Sequence, residues 1–203
     1  MLKIGLLPIS GKPYHRGHHS LVEKACKEND QVLLFVSLSD RVRSGEYPIM
    51  GSSMTKVWSE ELEKIMPENV TIEYGGSPVR KIYEMIGELC EEGTSNIFTI
   101  YSDPTDTLQN YPSKNRVKYM EPLWEMGQIK FAAEEDPNSV TRGIGTPDIK
   151  GEDLRHALKE QDFYSFSLLM PDGVDARKIY EILSTKTSSE NPLLKDFVAA
   201  VIG

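Results

Sequence analysis

The sequence predicts an α/β fold: a doubly wound parallel sheet of about five strands, followed by a small helical C-terminal extension. Three observations carry this prediction. Short apolar runs alternate with helix-period stripes along most of the chain. The runs within residues 4–9 and 31–37 are apolar without alternation, as in strands covered by helices on both faces. The stripes stop at residues that end helices, Pro67, Gly93 and Gly127. With 203 residues the chain is long enough to bury a sizeable core.

The elements follow in order. Residues 4–9 form the first strand, and Leu21, Val22, Ala25 and Cys26 give the first helix its inner face. Residues 31–37 are the second strand. Met54, Val57, Trp58, Leu62 and Ile65 form one helical stripe ending before Pro67, and residues 70–74 alternate as a third strand does. Ser77-Pro78 caps the next helix with proline at its first position. Its inner face is Val79, Ile82, Tyr83, Ile86, Leu89 and Cys90, and Gly93 stops it. Residues 96–101 are a fourth strand, 114–126 a helix closed by Gly127, and 129–133 a fifth strand. Residues 39–53 and 136–150 lack periodicity, and loops of that length in a compact domain are usually functional or disordered.

Short helices follow around 153–158 and 176–183, and Asn191-Pro192 caps a last one. The apolar residues of that helix, Leu193, Leu194, Phe197, Val198, Val201 and Ile202, make a narrow seam. It has to be buried against this chain or against another copy, so a homo-oligomer is one expected outcome. Trp58 and Trp124 lie on inner stripes and are read first as core. No internal repeat or low-complexity segment is present.

The net charge of −8 and pI near 5.1 argue against a nucleic-acid partner, which needs a basic face. The cations Lys12, Arg16, Arg142, Lys150 and Arg155 nevertheless fall in two stretches and suit a local anion pocket. Two cysteines, Cys26 and Cys90, support neither a disulfide framework nor a zinc site and are expected as buried free thiols. The N-terminal residues lack a basic region followed by a long apolar one, and no run approaches membrane-spanning length. A cytoplasmic protein without a membrane partner is expected.

The most informative stretch is Gly11-Lys12-Pro13-Tyr14-His15-Arg16-Gly17-His18, which sets an H-x-G-H pair directly after the first strand. Ser10 and Gly11 allow backbone amides to approach a ligand, Gly17 keeps space between the imidazoles, and the helix that follows offers its N-terminus to an anion. This resembles the T/H-x-G-H signature of the nucleotidylyltransferase superfamily, whose domain is Rossmann-like. The resemblance covers roughly residues 1–160, leaving 161–203 as the helical extension. It implies transfer of a nucleotidyl group from a nucleoside triphosphate to a phosphorylated acceptor, with release of pyrophosphate and Mg²⁺ screening the triphosphate. On it, His18 contacts the α-phosphoryl oxygens, His15 the α and β oxygens, and Lys12 adds a cation. A His-x-x-His metal pair is disfavoured, because no carboxylate or cysteine stands at ligand spacing.

The superfamily's second signature, near I-S-x-T-x-I-R, has its counterpart in Ile149-Lys150-Gly151-Glu152-Asp153-Leu154-Arg155. Ile149, Leu154 and Arg155 match, while Lys150 and Glu152 replace the hydroxyl residues. The resemblance gives Lys150 and Gly151 to nucleotide binding and Arg155 to the phosphates, where a guanidinium makes forked bonds. Asp103, after the fourth strand, and Arg41, after the second, are candidates for acceptor binding. Asp103 also stands where a turn or helix cap would use it. Class I aminoacyl-tRNA synthetases share H-x-G-H but need a K-M-S-K-S loop, which is absent. Ser10-Gly11-Lys12-Pro13 resembles nicotinamide-mononucleotide adenylyltransferases more than cytidylyltransferases, so ATP is favoured. The alternatives are a cytidylyltransferase and a non-catalytic nucleotide-binding or interaction protein that kept the fold.

Overall fold

The computed structural model describes residues 1–185 of the chain. Five strands form one sheet: β1 (Lys3–Ile9), β2 (Gln31–Val36), β3 (Val70–Tyr74), β4 (Ile97–Ile100) and β5 (Ile129–Phe131). All neighbours pair in parallel in the order β3-β2-β1-β4-β5, so strand order reverses between β1 and β4. This is the expected doubly wound architecture.

The unbroken apolar runs have a simple physical origin. Alternate residues of each central strand point to opposite faces, and both faces are covered. Leu7 and Ile9 of β1, with Val32, Leu34 and Val36 of β2, enter one core. Ile4 and Leu6 of β1, with Phe35 of β2, enter the other. Each such fully buried side chain contributes about 1.5–3 kcal/mol of transfer free energy.

Helix α1 (Arg16–Glu28) packs Val22 and Ala25 into the first core. The single stripe expected across Met54 to Ile65 is three segments: α2 (Gly51–Val57), a π-helical turn (Trp58–Leu62) and a 3₁₀ turn (Glu63–Ile65). The wider π turn lets Trp58, Glu61 and Leu62 all reach inward. Helix α3 (Pro78–Glu92) follows the expectation, with Ser77 as cap and Gly93 turning the chain at φ 81°.

Helix α4 (Pro104–Asn110) lies where only a turn or cap was read, and Asp103 caps it by accepting the Asp106 amide. Helix α5 (Ser113–Tyr119) is shorter than the stretch expected at 114–126. Pro122 has no N–H to continue the ladder and disfavours helix at Glu121. The chain goes on in turns, with the Trp124 amide on the Met120 carbonyl and Gly127 at φ 74° leading into β5. Trp124 is thus half-buried outside any helix, beside Arg116, whose guanidinium lies 3.7 Å from the Phe131 ring.

Two short helices, α6 (Ala132–Glu135) and α7 (Pro137–Val140), lead to α8 (Gly151–Lys159), α9 (Phe163–Leu168) and α10 (Ala176–Ser184). Leu154, Phe166, Ile179 and Leu183 from these last three join the first core. The buried Glu61 ties α10 to the π turn: its Oε2 accepts the Asp175 amide at 3.0 Å and its Oε1 lies 3.1 Å from Lys178 Nζ. The seam expected over Leu193 to Ile202 lies outside the described residues. Cys26 and Cys90 are free and half-buried rather than fully buried, and burial pushes the Cys26 thiol up to about 11. Among the described residues no helix is long and apolar enough to cross a membrane.

Two glycines give opposite expectations. At Gly51 a Cβ would stand 1.8 Å from the Leu38 carbonyl oxygen, whereas at Gly87, inside α3, it would meet nothing within 4 Å. Gly51→Ala is expected to lower unfolding free energy by more than about 2 kcal/mol, and Gly87→Ala to raise it by about 0.5–1 kcal/mol through helix propensity. Urea denaturation of the two variants measures both.

Candidate functional site

A cavity of about 320 Å³ opens at the carboxyl ends of β1 and β4, where strand order reverses. Open α/β sheets bind ligands at this place. Ser10, His15, Gly17 and His18 form one wall. Ser77, Val79, Asp103, Asp106 and Asn110 form the opposite side, and Arg142, Pro147 and Ile149 close it from the long loop after α7.

The histidines are built into the start of α1, earlier than the sequence indicated. His15 is the N-cap residue and His18 the third helical residue, and together they form a capping box. The Gly17 amide donates to His15 Nδ1 at 3.1 Å, and the His15 amide donates to His18 Nδ1 at 3.2 Å. An amide can only donate, so both Nδ1 atoms must accept. Each neutral ring therefore carries its proton on Nε2.

Burial first, and the Arg142 charge second, hold His15 down at about 3. Burial, then His15, then Arg142 hold His18 well below the usual imidazole range. The two rings lie with centroids 3.8 Å apart and planes tilted by 32°, a closeness that two uncharged rings tolerate. Gly17 is required here, since a Cβ would come within 2.9 Å of His15 Cε1. Behind them the buried Tyr14 ring stacks on His18 at 5.3 Å and meets Trp58 edge-on at 5.0 Å, while its hydroxyl pairs with His19 Nδ1 at 3.1 Å.

The first amides of α1 are already committed. Arg16 N donates to the Leu169 carbonyl at 2.9 Å and Gly17 N to His15. An anion in the cavity therefore meets imidazole Nε2–H groups and Arg142 more than a bare helix terminus. Arg142 faces Asp103, Nη2 to Oδ2 3.6 Å. Asp106 is raised by burial and by Asp103, with Arg142 opposing.

The remaining predicted residues gather in a second cluster behind this wall. Gly11 takes the left-handed backbone at φ 39°. Lys12 is buried, its Nζ donating to the Ser37 carbonyl, and burial lowers it to about 8 against the pull of Asp40. Arg155 Nη1 donates to the Lys12 carbonyl at 2.7 Å, and its Nε lies 3.2 Å from Glu46 Oε2 without an aligned hydrogen bond. Arg41 grips the same Glu46 with two bonds, of 2.8 and 2.9 Å. Gly151 packs closely on the Lys12 carbonyl and Arg155.

The turn that starts α8 is closed by its own carboxylate, Asp153 Oδ2 accepting the Lys150 amide at 2.8 Å. The Lys150 side chain is exposed and 3.6 Å from Glu152. The structure thus gathers Ser10, His15, Gly17, His18 and Asp103 around the cavity. Gly11, Lys12, Arg41, Gly151 and Arg155 stand apart from its lining, as does Lys150. Arg142 enters as a site residue that the sequence offered only as one cation of a possible anion pocket, and Asp106 as one that it did not single out. Nothing periodic marks Arg142.

The fold is that of a Rossmann-like α/β domain with its cavity at the switch point of the sheet. A protein-family model described as the citrate lyase ligase C-terminal domain matches residues 4–73, from β1 into β3, including both histidines. This similarity supports the nucleotidyltransferase superfamily in the broad sense, and a transferase-like or ligase-like enzyme. No curated protein matches the chain.

The low affinity of His15 for protons has a thermodynamic consequence. A histidine at about 3 in the folded chain and near 6.5 unfolded binds more protons unfolded between those values, so its burial costs stability as pH falls through that window. One such group gives a slope of up to about 1.4 kcal/mol per pH unit. His15→Asn keeps a side-chain acceptor for the cap and removes the titration. Stability measured from pH 7 to 4 is expected to fall less steeply in the variant than in the parent; equal slopes would contradict a neutral buried His15.

Proposed function

We propose that the cavity binds a nucleoside triphosphate, ATP in preference to CTP, and transfers its nucleotidyl group to an anionic acceptor. The observation that carries this reading is the paired capping box. It commits both Nδ1 atoms to the backbone and leaves two Nε2–H donors, on rings that stay uncharged, at the switch point of the sheet.

Nucleotidyl transfer is an in-line displacement. An acceptor oxygen forms a bond to the α-phosphorus, the bond to the bridging oxygen of pyrophosphate breaks, and that oxygen leaves with the electron pair. The protein needs no covalent nucleophile; it needs donors fixed where negative charge grows. His18 Nε2–H donates to the α-phosphoryl oxygens, and His15 Nε2–H bridges toward the β-phosphate. Arg142 supplies the positive charge that the altered second signature lacks.

Arg155 serves as a positioning residue. It holds the Lys12 carbonyl, and so the Gly11–Lys12 turn, against the start of α8. Asp103 and Asp106 are the residues that would hold Mg²⁺ at this wall; burial first, and Asp103 second, raise the Asp106 carboxyl, with Arg142 opposing. Among the described residues no group of three or more His, Cys, Asp or Glu gathers at metal-binding distance. The ion's other ligands would then be phosphate oxygens and water. When bound it screens the triphosphate.

The acceptor is read as a phosphorylated small molecule. The match to a domain named for a ligase favours a second reading, in which a carboxylate takes the nucleotidyl group and is activated for joining to another molecule. Both share the same displacement and the same pyrophosphate. Exchange of labelled pyrophosphate into ATP, run with panels of phosphorylated and carboxylate acceptors, separates them from each other and from a binding protein without turnover.

His18→Ala is expected to leave the fold intact and to lower turnover by roughly two to four powers of ten, the scale of removing one preorganised donor. Arg142→Ala is expected to weaken ATP binding about tenfold to a hundredfold in calorimetry, as loss of a charged hydrogen bond does. Arg155→Ala is expected to lower thermal stability more than ATP affinity. Unchanged turnover in a folded His18→Ala protein would end this reading.

A further inference from the structure

The cavity is not closed on its far side. Ser77, Val79 and Asn110 line it and also line a larger hollow of about 930 Å³. This hollow follows the outer face of α3, from Val79 past Tyr83 to Gly87, and is bounded across from it by Asn115 and Tyr119 of α5. Val79 and Gly87 are eight helical residues apart, roughly 12 Å at 1.5 Å per residue.

The aromatic wall is fixed. Tyr83 OH donates to the Asn110 carbonyl at 2.7 Å, and its ring meets Tyr119 edge-on at 5.6 Å. The floor is open because of one residue. Glycine in a helix interior costs stability, yet Gly87 stands there, and a side chain at it would project into space free of protein atoms within 4 Å. The rim carries Glu84, Glu88 and Glu91, and Arg80, the cation among the lining residues, is held by Glu84 at 2.8 Å. An anionic chain would be repelled along this groove. An uncharged or cationic apolar chain would not.

The geometry points to a binding site for the body of the acceptor: an elongated, largely apolar chain, neutral or positively charged along its length, whose anionic reacting end lies in the cavity. This inference rests on the reading of the cavity as a nucleotidyl-transfer site. It names the class of acceptor that reading leaves open.

Ethyl, octyl and dodecyl phosphate, kept below micelle formation, are the probes, with ATP as the control ligand and calorimetry as the measurement. A methylene buried in the groove raises affinity by up to about fourfold. Dodecyl phosphate is therefore expected to bind at least tenfold tighter than ethyl phosphate. Gly87→Trp, which fills the groove, is expected to erase that gain while leaving ethyl phosphate and ATP within twofold of the parent. Gly87→Leu, a better helix former than glycine, is expected to reduce the gain and serves should the tryptophan variant not fold.

Absence of a chain-length response, or a response untouched by both variants, would overturn the proposal. So would a drop in molecular mass on light scattering of Gly87→Trp, which would make the groove a contact between copies. If ATP binds and the chain length has no effect, the groove fails and the nucleotidyl-transfer reading stands. A chain-length response that depends on Gly87, in a protein that does not bind ATP, keeps the groove and removes that reading.

Discussion

The site depends on one constraint: the backbone at the start of α1 has two amides to satisfy, and it satisfies them with imidazole nitrogens. His15 and His18 are usually weighed as ligand-binding groups, but in this chain they are first of all a helix cap. Capping fixes the tautomer, and burial fixes the charge state. Packing also holds the rings, because Tyr14 stacks on His18 and Gly17, lacking a Cβ, lets His15 lie close against the backbone. A donor held this way needs no reorganisation when charge develops in front of it, which is the condition under which a hydrogen bond contributes most to a rate. The same cap binds the site to the core, since Tyr14 leans on Trp58 and Trp58 is the first residue of the π turn that receives α10. Cavity wall and C-terminal helices are one mechanical unit.

A second constraint lies behind the first. Arg41 and Arg155 meet at one carboxylate, Glu46, while Arg155 donates to the Lys12 carbonyl and the buried Lys12 ammonium to that of Ser37. Taking charges out of water is expensive, and breaking one partner of such a cluster leaves another uncompensated. The arrangement therefore resists change. It joins the Gly11–Lys12 turn, the loop around Glu46 and the first turn of α8, three pieces far apart in sequence. Its cost is that Arg155, tied to a carbonyl, is not free to serve as a phosphate fork. The cation on the cavity wall comes from Arg142 instead.

The sheet was legible in the sequence because parallel strands buried on both faces leave apolar runs that no surface element shows, and because Pro and Gly mark helix ends. Helices α4 and α9 were not legible. Each is held by an Asp cap and a few contacts, with too few turns to display a period. The stripe through Trp58 had the right residues but hid a π turn, since periodicity over three turns barely distinguishes one extra residue. Helix α5 was read too long because the apolar positions past Pro122 are buried in turns rather than in helix. Within the site, the histidine pair was legible from its setting after β1. The partner of Arg155 was not, because Glu46 lies in a loop whose only long-range signature is charge. Arg142 was legible only as one cation of a possible anion pocket, because nothing periodic in its loop gave it a place on the cavity wall.

The family match ends at residue 73 and so divides the site unevenly. It takes in the histidines, Lys12, Arg41 and Glu46, the parts that on the proposed function would meet phosphate or fix the turn beside it. Asp103, Asp106, Asn110, Arg142 and both walls of the groove lie beyond it. The charge that grows on the α-phosphorus is the same whatever oxygen attacks, so residues serving it can be shared among enzymes with different acceptors. Recognition of the acceptor has no such common demand, and on the proposed function it would fall to the half of the cavity built from β4, α4 and the loop after α7. Similarity over residues 4–73 accordingly bears on the proposed chemistry of transfer and not on what would receive the group.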